Sequence, residues 1–177
     1  MDVNQIKNEF LFYIKTISKA LGKEIEISDN DIIVTEPGCA NHNRIVWEEN
    51  CMYVYSFWYN GEVLKIGKAG PNSRERYKNH HYNSLSSKSC LARSLLIQGK
   101  SVLSEWGIDY EKELQLEAKT HKSSKSIKDS IKNKCTRIDV RLPFDSSIKD
   151  DIFKLELVEA ILHYVYKPIF EGWENQR

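Results

Sequence analysis

No run of the 177-residue sequence is apolar for anything like the roughly 20 residues that a bilayer-spanning helix needs. The four cysteines, Cys39, Cys51, Cys90 and Cys135, show no CxxC or other close ligand spacing, which argues for reduced thiols rather than a metal or disulfide staple. The first residues, MDVNQIKNEFLF, carry an early Asp and Glu and lack the basic flank, apolar run and small-residue cleavage site of a secretory signal. A cytoplasmic protein with no membrane partner is the expectation. The pattern GxxxxGK[ST] is also missing, so a P-loop has no support. There are no internal repeats, and no Pro/Gly/Ser-rich linker divides the chain.

What is present is a hydrophobic fraction of 41%, and a chain of this length buries about two-thirds of its unfolded surface. The net charge of +1 conceals a segregation. Residues 65–100 hold eight Lys or Arg against one Glu, and residues 119–141 hold eight against two Asp. Residues 1–50 carry five basic and nine acidic side chains, and residues 101–118 carry one and five. Two basic blocks build a local positive field that attracts polyanions, although Lys-rich runs also occur as plain solvated faces. The candidate phosphate contacts are Lys68, Arg74, Lys78, Lys88 and Arg93 in the first block and Lys122, Lys125 and Lys128 in the second.

Val3, Ile6, Phe10, Ile14, Ile17 and Leu21 recur at helical spacing ahead of Gly22, which predicts an amphipathic helix. KEIEISDNDIIVTEPG predicts two short strands about an Asp-Asn turn, and RIVWEE a third. Residues 1–50 thus read as an extension packed on the remainder of the chain. From Cys51, two β-rich runs flank Asn60-Gly61, the strongest short-range hairpin signal. NSRERYKNHHY predicts a helix on which Arg76 and His80, four apart, share a face. Helices are expected next through CLARSLLIQG and in pieces over 101–134, broken by the loop THKSSKS. TRIDVRLPF alternates like a strand, and DDIFKLELVEAILHYVYK predicts a helix ending before Pro168. The fold class expected is α+β, a small antiparallel sheet with helices packed on it.

The chemistry concentrates between Tyr53 and His81. Tyr55 and Lys65 flank the Asn-Gly turn almost symmetrically, which predicts near neighbours across the hairpin. A phenol beside an ammonium can pass a proton, though Tyr in a strand also serves simply as packing. Gly67 and Gly70 allow close backbone approach just before the Arg-bearing helix, an arrangement suited to a phosphate. Arg76 offers a fork of donors to a phosphodiester, and His80 a hydrogen bond or a proton. Near the end of the chain, Glu159 sits inside the stripe Leu155, Val158, Leu162 and Val165. Such a carboxylate needs a partner, either a hard divalent cation or a nearby Lys or Arg. Glu156 lies toward the rim of the same helix, in a solvated or paired position that approaches His163 along the outer face.

The ordered segments YVY from Tyr53, KIGKA from Lys65, RYKNH from Arg76 and EAILHYVYKPIF from Glu159 resemble the GIY-YIG nuclease family. The first motif matches at Tyr53-Val54-Tyr55 and the second at Lys65-Ile66-Gly67, ten residues after Tyr55. The resemblance puts the family's helix-borne arginine on Arg76 and its following histidine or tyrosine on His80. It puts the metal-binding glutamate on Glu159, nine residues before Pro168. It covers residues 51–172, so the nuclease-like core is expected at 51–177 with an insertion at about 83–134. Three positions depart from the pattern: Tyr53 stands for Gly, Lys65 for the second Tyr, and Glu171 for the closing Asn. The resemblance implies one Mg²⁺ or Mn²⁺ ion and phosphodiester hydrolysis in DNA. Tyr55, Lys65, Arg76, His80 and Glu159 are then catalytic and Glu159 the metal ligand. One such site cuts one strand, so double-strand cleavage calls for a homodimer or sequential nicks. A restriction or phage-defence enzyme is the leading expectation; the alternatives are a repair or mobile-element nicking or single-strand nuclease, and a nucleic-acid-binding module without catalysis.

Overall fold

The computed structural model describes residues 2–87, 89–148 and 151–170. Helix α1 (Val3–Ala20) begins where the Asp2 carboxylate accepts the backbone N–H groups of Asn4 and Gln5, at 3.0 and 3.2 Å. It ends at Gly22, whose φ of +67° turns the chain away. The first stretch expected to be a strand, Lys23–Ser28, does not form one. The Ile25 N–H is taken by the Ser18 hydroxyl at 3.2 Å, so the segment is tied to α1 rather than to a sheet. Asp31 then accepts from the Ser28 N–H and hydroxyl and folds Asp29–Asp31 into a 3₁₀ turn. Only β1 (Ile32–Thr35) forms in this region. Helix α2 (Cys39–Asn43) comes next, and RIVWEE, also expected as a strand, is irregular. Its Trp47 packs on Tyr53 and Tyr77, and its Glu48 is held by Arg141 at 2.8 Å.

Strands β2 (Cys51–Tyr59) and β3 (Glu62–Ala69) form the hairpin expected about Asn60-Gly61. Both turn residues have positive φ, +50° and +84°, as a type I′ turn requires. Five helices come after it: α3 (Arg74–Lys78), α4 (Leu91–Gln98), α5 (Lys100–Glu105), α6 (Tyr110–Thr120) and α7 (Lys125–Lys134). A 3₁₀ turn, His80–Tyr82, lies between α3 and α4. The chain closes with β4 (Thr136–Pro143) and α8 (Phe153–Tyr166). The sheet is antiparallel throughout, in the order β1-β4-β2-β3, so the last strand made is an inner one. No helix among the described residues is long and apolar enough to cross a membrane.

Both faces of the sheet are covered. Tyr53, Tyr55 and Phe57 point into one core with Tyr77, Tyr82, Leu91, Leu95, Ile127 and Ile131 from the inserted helices. Met52, Val54, Ile138, Val140 and Leu142 point into a second core with Phe10 and Ile14 of α1 and Leu155, Val158 and Leu162 of α8. Beyond Pro168, the Ile169 and Phe170 N–H groups donate to the carbonyls of Val63 and Leu64. The outer edge of β3 is therefore capped at its turn end.

Candidate active site at the edge of the sheet

The register corrects the pairing expected for the hairpin. Tyr55 faces Gly67, and Lys65 faces Phe57, so Tyr55 and Lys65 are diagonal neighbours. A bulge is the reason: Trp58 pairs with Val63 and Phe57 with Lys65, leaving Leu64 as the extra residue. In an unbulged ladder Leu64 would pair with Phe57 and Lys65 with Ser56, sending Lys65 to the opposite face from Tyr55; with the bulge, both share one face. Lys65 is buried there, and its charge acts on His80 and His81.

Gly67 carries the geometry of the site. A Cβ placed on it would lie 2.8 Å from Tyr55 Cε2 and 3.0 Å from Cζ and Oη. The Tyr55 ring thus crosses the backbone at the one position without a side chain, and its hydroxyl reaches the Lys68 carbonyl at 3.3 Å. Gly67→Ala is expected to cost about 1–3 kcal/mol by forcing the ring aside. Urea denaturation checks this, and a variant as stable as the parent would show that the ring has room to move.

His81 meets the same hydroxyl, Nε2 to Oη at 2.7 Å. Its Nδ1 accepts the Leu91 N–H at 3.1 Å, so Nε2 carries the ring proton and donates it to Tyr55. Burial holds His81 well below the usual imidazole range, and the cations around it push the same way, so the ring is neutral. Burial raises the Tyr55 phenol above its usual range; the Arg76 guanidinium and then Arg137 pull against that rise, while Glu159 adds to it. Tyr55 is 1% exposed.

Arg76 and His80 do not share one helix as expected. Helix α3 ends at Lys78, and Asn79, at φ −124°, starts the separate 3₁₀ turn. The two side chains still line one groove, and Arg76 lowers the His80 pKa after the larger effect of burial. The His80 Nε2 is 2.9 Å from the Ser87 hydroxyl.

Glu159 lies at the margin of its stripe. Leu155, Val158, Ile161 and Leu162 are the buried positions of α8, and they face the core opposite Tyr55 and Lys65. The stripe thus packs on the sheet that carries those two residues, from its other side. The Glu159 carboxylate meets the Lys68 ammonium at 2.8 Å. Lys68 also pairs with Glu156, the paired alternative that its rim position allowed. Partial burial would lower the Lys68 pKa, but the hydrogen bonds that its ammonium donates to Glu156 and Glu159 outweigh it and raise it. Two carboxylates thus converge on a cation at the β3 edge. That donor set suits a hard divalent ion, which binds protein through one or two carboxylates and completes its shell with water.

Among the other candidate phosphate contacts, Arg74, Lys122, Lys125 and Lys128 are exposed and Lys78 is half-buried. Arg93 is committed to the buried Glu117 at 2.5 Å. Lys88 and Glu171 lie outside the described residues.

Beneath the site is a buried ion pair that no sequence motif marks. Arg137 Nε donates to Asp139 Oδ1 at 2.7 Å, and Nη1 donates to the Tyr77 carbonyl at 2.9 Å. The Tyr77 hydroxyl donates to Asp139 Oδ2 at 2.6 Å. The guanidinium also lies over the rings of Tyr77, Tyr55 and Phe57, at 4.4, 5.1 and 5.5 Å. Burial works against its charge, but the Asp139 carboxylate overcomes that and holds Arg137 protonated. By gripping Tyr77 through both backbone and side chain, the pair fixes α3 and with it Arg76.

Neither the protein-family models, nor the curated proteins, nor the solved structures compared with this chain give a match.

Proposed function

We propose that the chain is a divalent-metal-dependent DNA endonuclease of GIY-YIG type. The observation that carries this reading is the passage of the Tyr55 ring over Gly67. It brings a phenol to the uncapped end of the β3 edge, within the electrostatic reach of Arg76 from one side of the sheet and Glu159 from the other. In the proposed reaction Arg76 holds the scissile phosphate by paired N–H donors. Tyr55 takes a proton from the attacking water, with His81 donating to its oxygen and the Arg76 and Arg137 guanidiniums favouring the phenolate. Glu159, with Glu156 beside it, would hold Mg²⁺ or Mn²⁺. That ion, when bound, supplies charge neutralisation at the phosphate and a more acidic water. A restriction or phage-defence role, acting on double-stranded DNA in the cytoplasm as a dimer or by successive nicks, is the biological setting proposed.

The test is incubation with unmodified plasmid and phage DNA in Mg²⁺ and in Mn²⁺, followed by sequencing of fragment ends. No cleavage of double- or single-stranded DNA in either metal would sink the reading. Glu159→Gln is expected to abolish metal binding and cleavage while keeping the fold, because Gln preserves volume and removes charge. Glu156→Gln should cost less, since its side chain is the more exposed of the two, at 51% against 22%. Metal titration followed by calorimetry decides between them, and loss of the metal in Glu156→Gln alone would exchange their roles.

One observation favours a second reading, a DNA-binding module without catalysis: both carboxylates are already engaged by Lys68. Tight binding with no product in either metal would support it.

A further inference from the structure

Alongside Arg76 and His80 runs a groove of about 460 Å³, lined also by Asn79, Asn83, Lys128 and Lys132. Its size is in the range of sites that enclose a small ligand. Lys128 and Lys132 are four residues apart on α7, so they stand on one face of the helix, next to the face that buries Ile127 and Ile131. Two ammonium groups thereby border one concave space, and like charges at that spacing repel. The effect is visible at Lys132, whose pKa is lowered first by burial and then by Lys128. Lys132 is held in place by the Asn43 side-chain carbonyl and lies 5.2 Å above the Tyr82 ring. The carboxylate in the groove, Glu75, accepts from Asn79 Nδ2 at 2.8 Å. The Asn83 side-chain carbonyl accepts the Leu85 N–H at 2.9 Å, which leaves its NH₂ as a donor.

We infer that this groove is a second nucleotide subsite, in which Lys128 and Lys132 hold a phosphate adjoining the scissile one on the same DNA strand and Asn83 donates to its base. The inference rests on the nuclease reading for its substrate and deepens it. A phosphate between the two ammonium groups removes their mutual repulsion, and the amide reads a hydrogen-bonding edge that a bare surface lysine cannot. Arg76, shared by the groove and the site, sets the direction of the strand from one phosphate to the next.

The test is fluorescence anisotropy of labelled oligonucleotide duplexes and single strands in EDTA, over a salt series. Lys128→Gln/Lys132→Gln should weaken binding about tenfold or more at low salt and reduce the slope of log K against log salt by about 1.8 on duplex DNA. Lys15→Gln/Lys19→Gln, an exposed pair at the same spacing on α1, across the sheet, should change neither. A neutral methylphosphonate walked along the strand should weaken the parent at one linkage to which the Lys128/Lys132 variant is indifferent. Unchanged affinity and slope, or equal losses in the two lysine pairs, would overturn the inference. Because EDTA removes the chemistry, a protein that binds through these lysines yet cuts nothing keeps the subsite and loses the nuclease. One that cuts with unaltered affinity in the variant loses only the subsite.

Discussion

Tyr55→Phe is expected to lower the rate of DNA cleavage by about 10²–10⁴-fold, the usual contribution of a positioned proton-transfer group. DNA affinity in EDTA should change by less than about twofold, because the ring stays wedged over Gly67 and only a hydroxyl is lost. The substitution also strands the His81 Nε2–H, whose acceptor is that hydroxyl, at a stability cost of about 1–3 kcal/mol. The two losses separate cleanly: urea denaturation reads the second, and single-turnover cleavage under conditions where the variant is folded reads the first. Burial raises the phenol's pKa, so the parent rate should go on climbing with pH above about pH 8 as more phenolate forms, and the variant should lose that dependence. Parent-like rates with the same pH profile would return Tyr55 to packing. The cations acting most strongly on the phenol are Arg76 and Arg137.

Asp139→Ala should lower the unfolding free energy by about 3–5 kcal/mol, the cost of leaving a buried charge uncompensated. Arg137 already has one donor, Nη2, buried without a hydrogen-bond partner among the described residues, and the substitution would orphan Nε and the Tyr77 hydroxyl as well. Replacing both partners, as in Arg137→Met/Asp139→Leu, should restore most of that stability, because the desolvation of two ions disappears along with their attraction. A double-mutant cycle by chemical denaturation measures the difference. If the double variant is as unstable as Asp139→Ala, the pair's value lies in its hydrogen bonds to Tyr77 rather than in charge balance. If both variants are as stable as the parent, the pair is structurally idle.

The elements with a clean local signature are legible in the sequence. The Asn-Gly hairpin, α1 with its glycine stop, β4 and α8 all announce themselves through turn chemistry or periodicity, and they stand where the pattern puts them. The misreadings have a common origin in partners distant along the chain. Lys23–Ser28 alternates like a strand, but its backbone donor is captured by Ser18. Four-residue spacing places Arg76 and His80 on one helix, whereas Arg137 grips the Tyr77 carbonyl from 60 residues further on and the helix ends one residue after Tyr77. The bulge at Leu64 shifts the pairing of Lys65, and nothing local to β3 predicts it. His81 is overshadowed by its neighbour because helical spacing favours His80; the His-His doublet itself is the available signal. Arg137 and Asp139 alternate with Ile138 and Val140, which reads as a solvated strand face until both faces of the sheet turn out to be covered.

The position of β4 between β1 and β2 also sets a timetable for the growing chain. The hairpin is complete at Ala69, but its inner neighbour ends at Pro143, so at about 5–20 residues per second the nascent hairpin waits roughly 4–15 s for it. Throughout that interval the inner edge of β2 presents unpaired backbone groups, a template for the wrong strand. Arg137 and Asp139 arrive on the late strand and leave water as the sheet closes. Commitment to the native arrangement is thereby deferred to the one step in which the charges can be buried already paired.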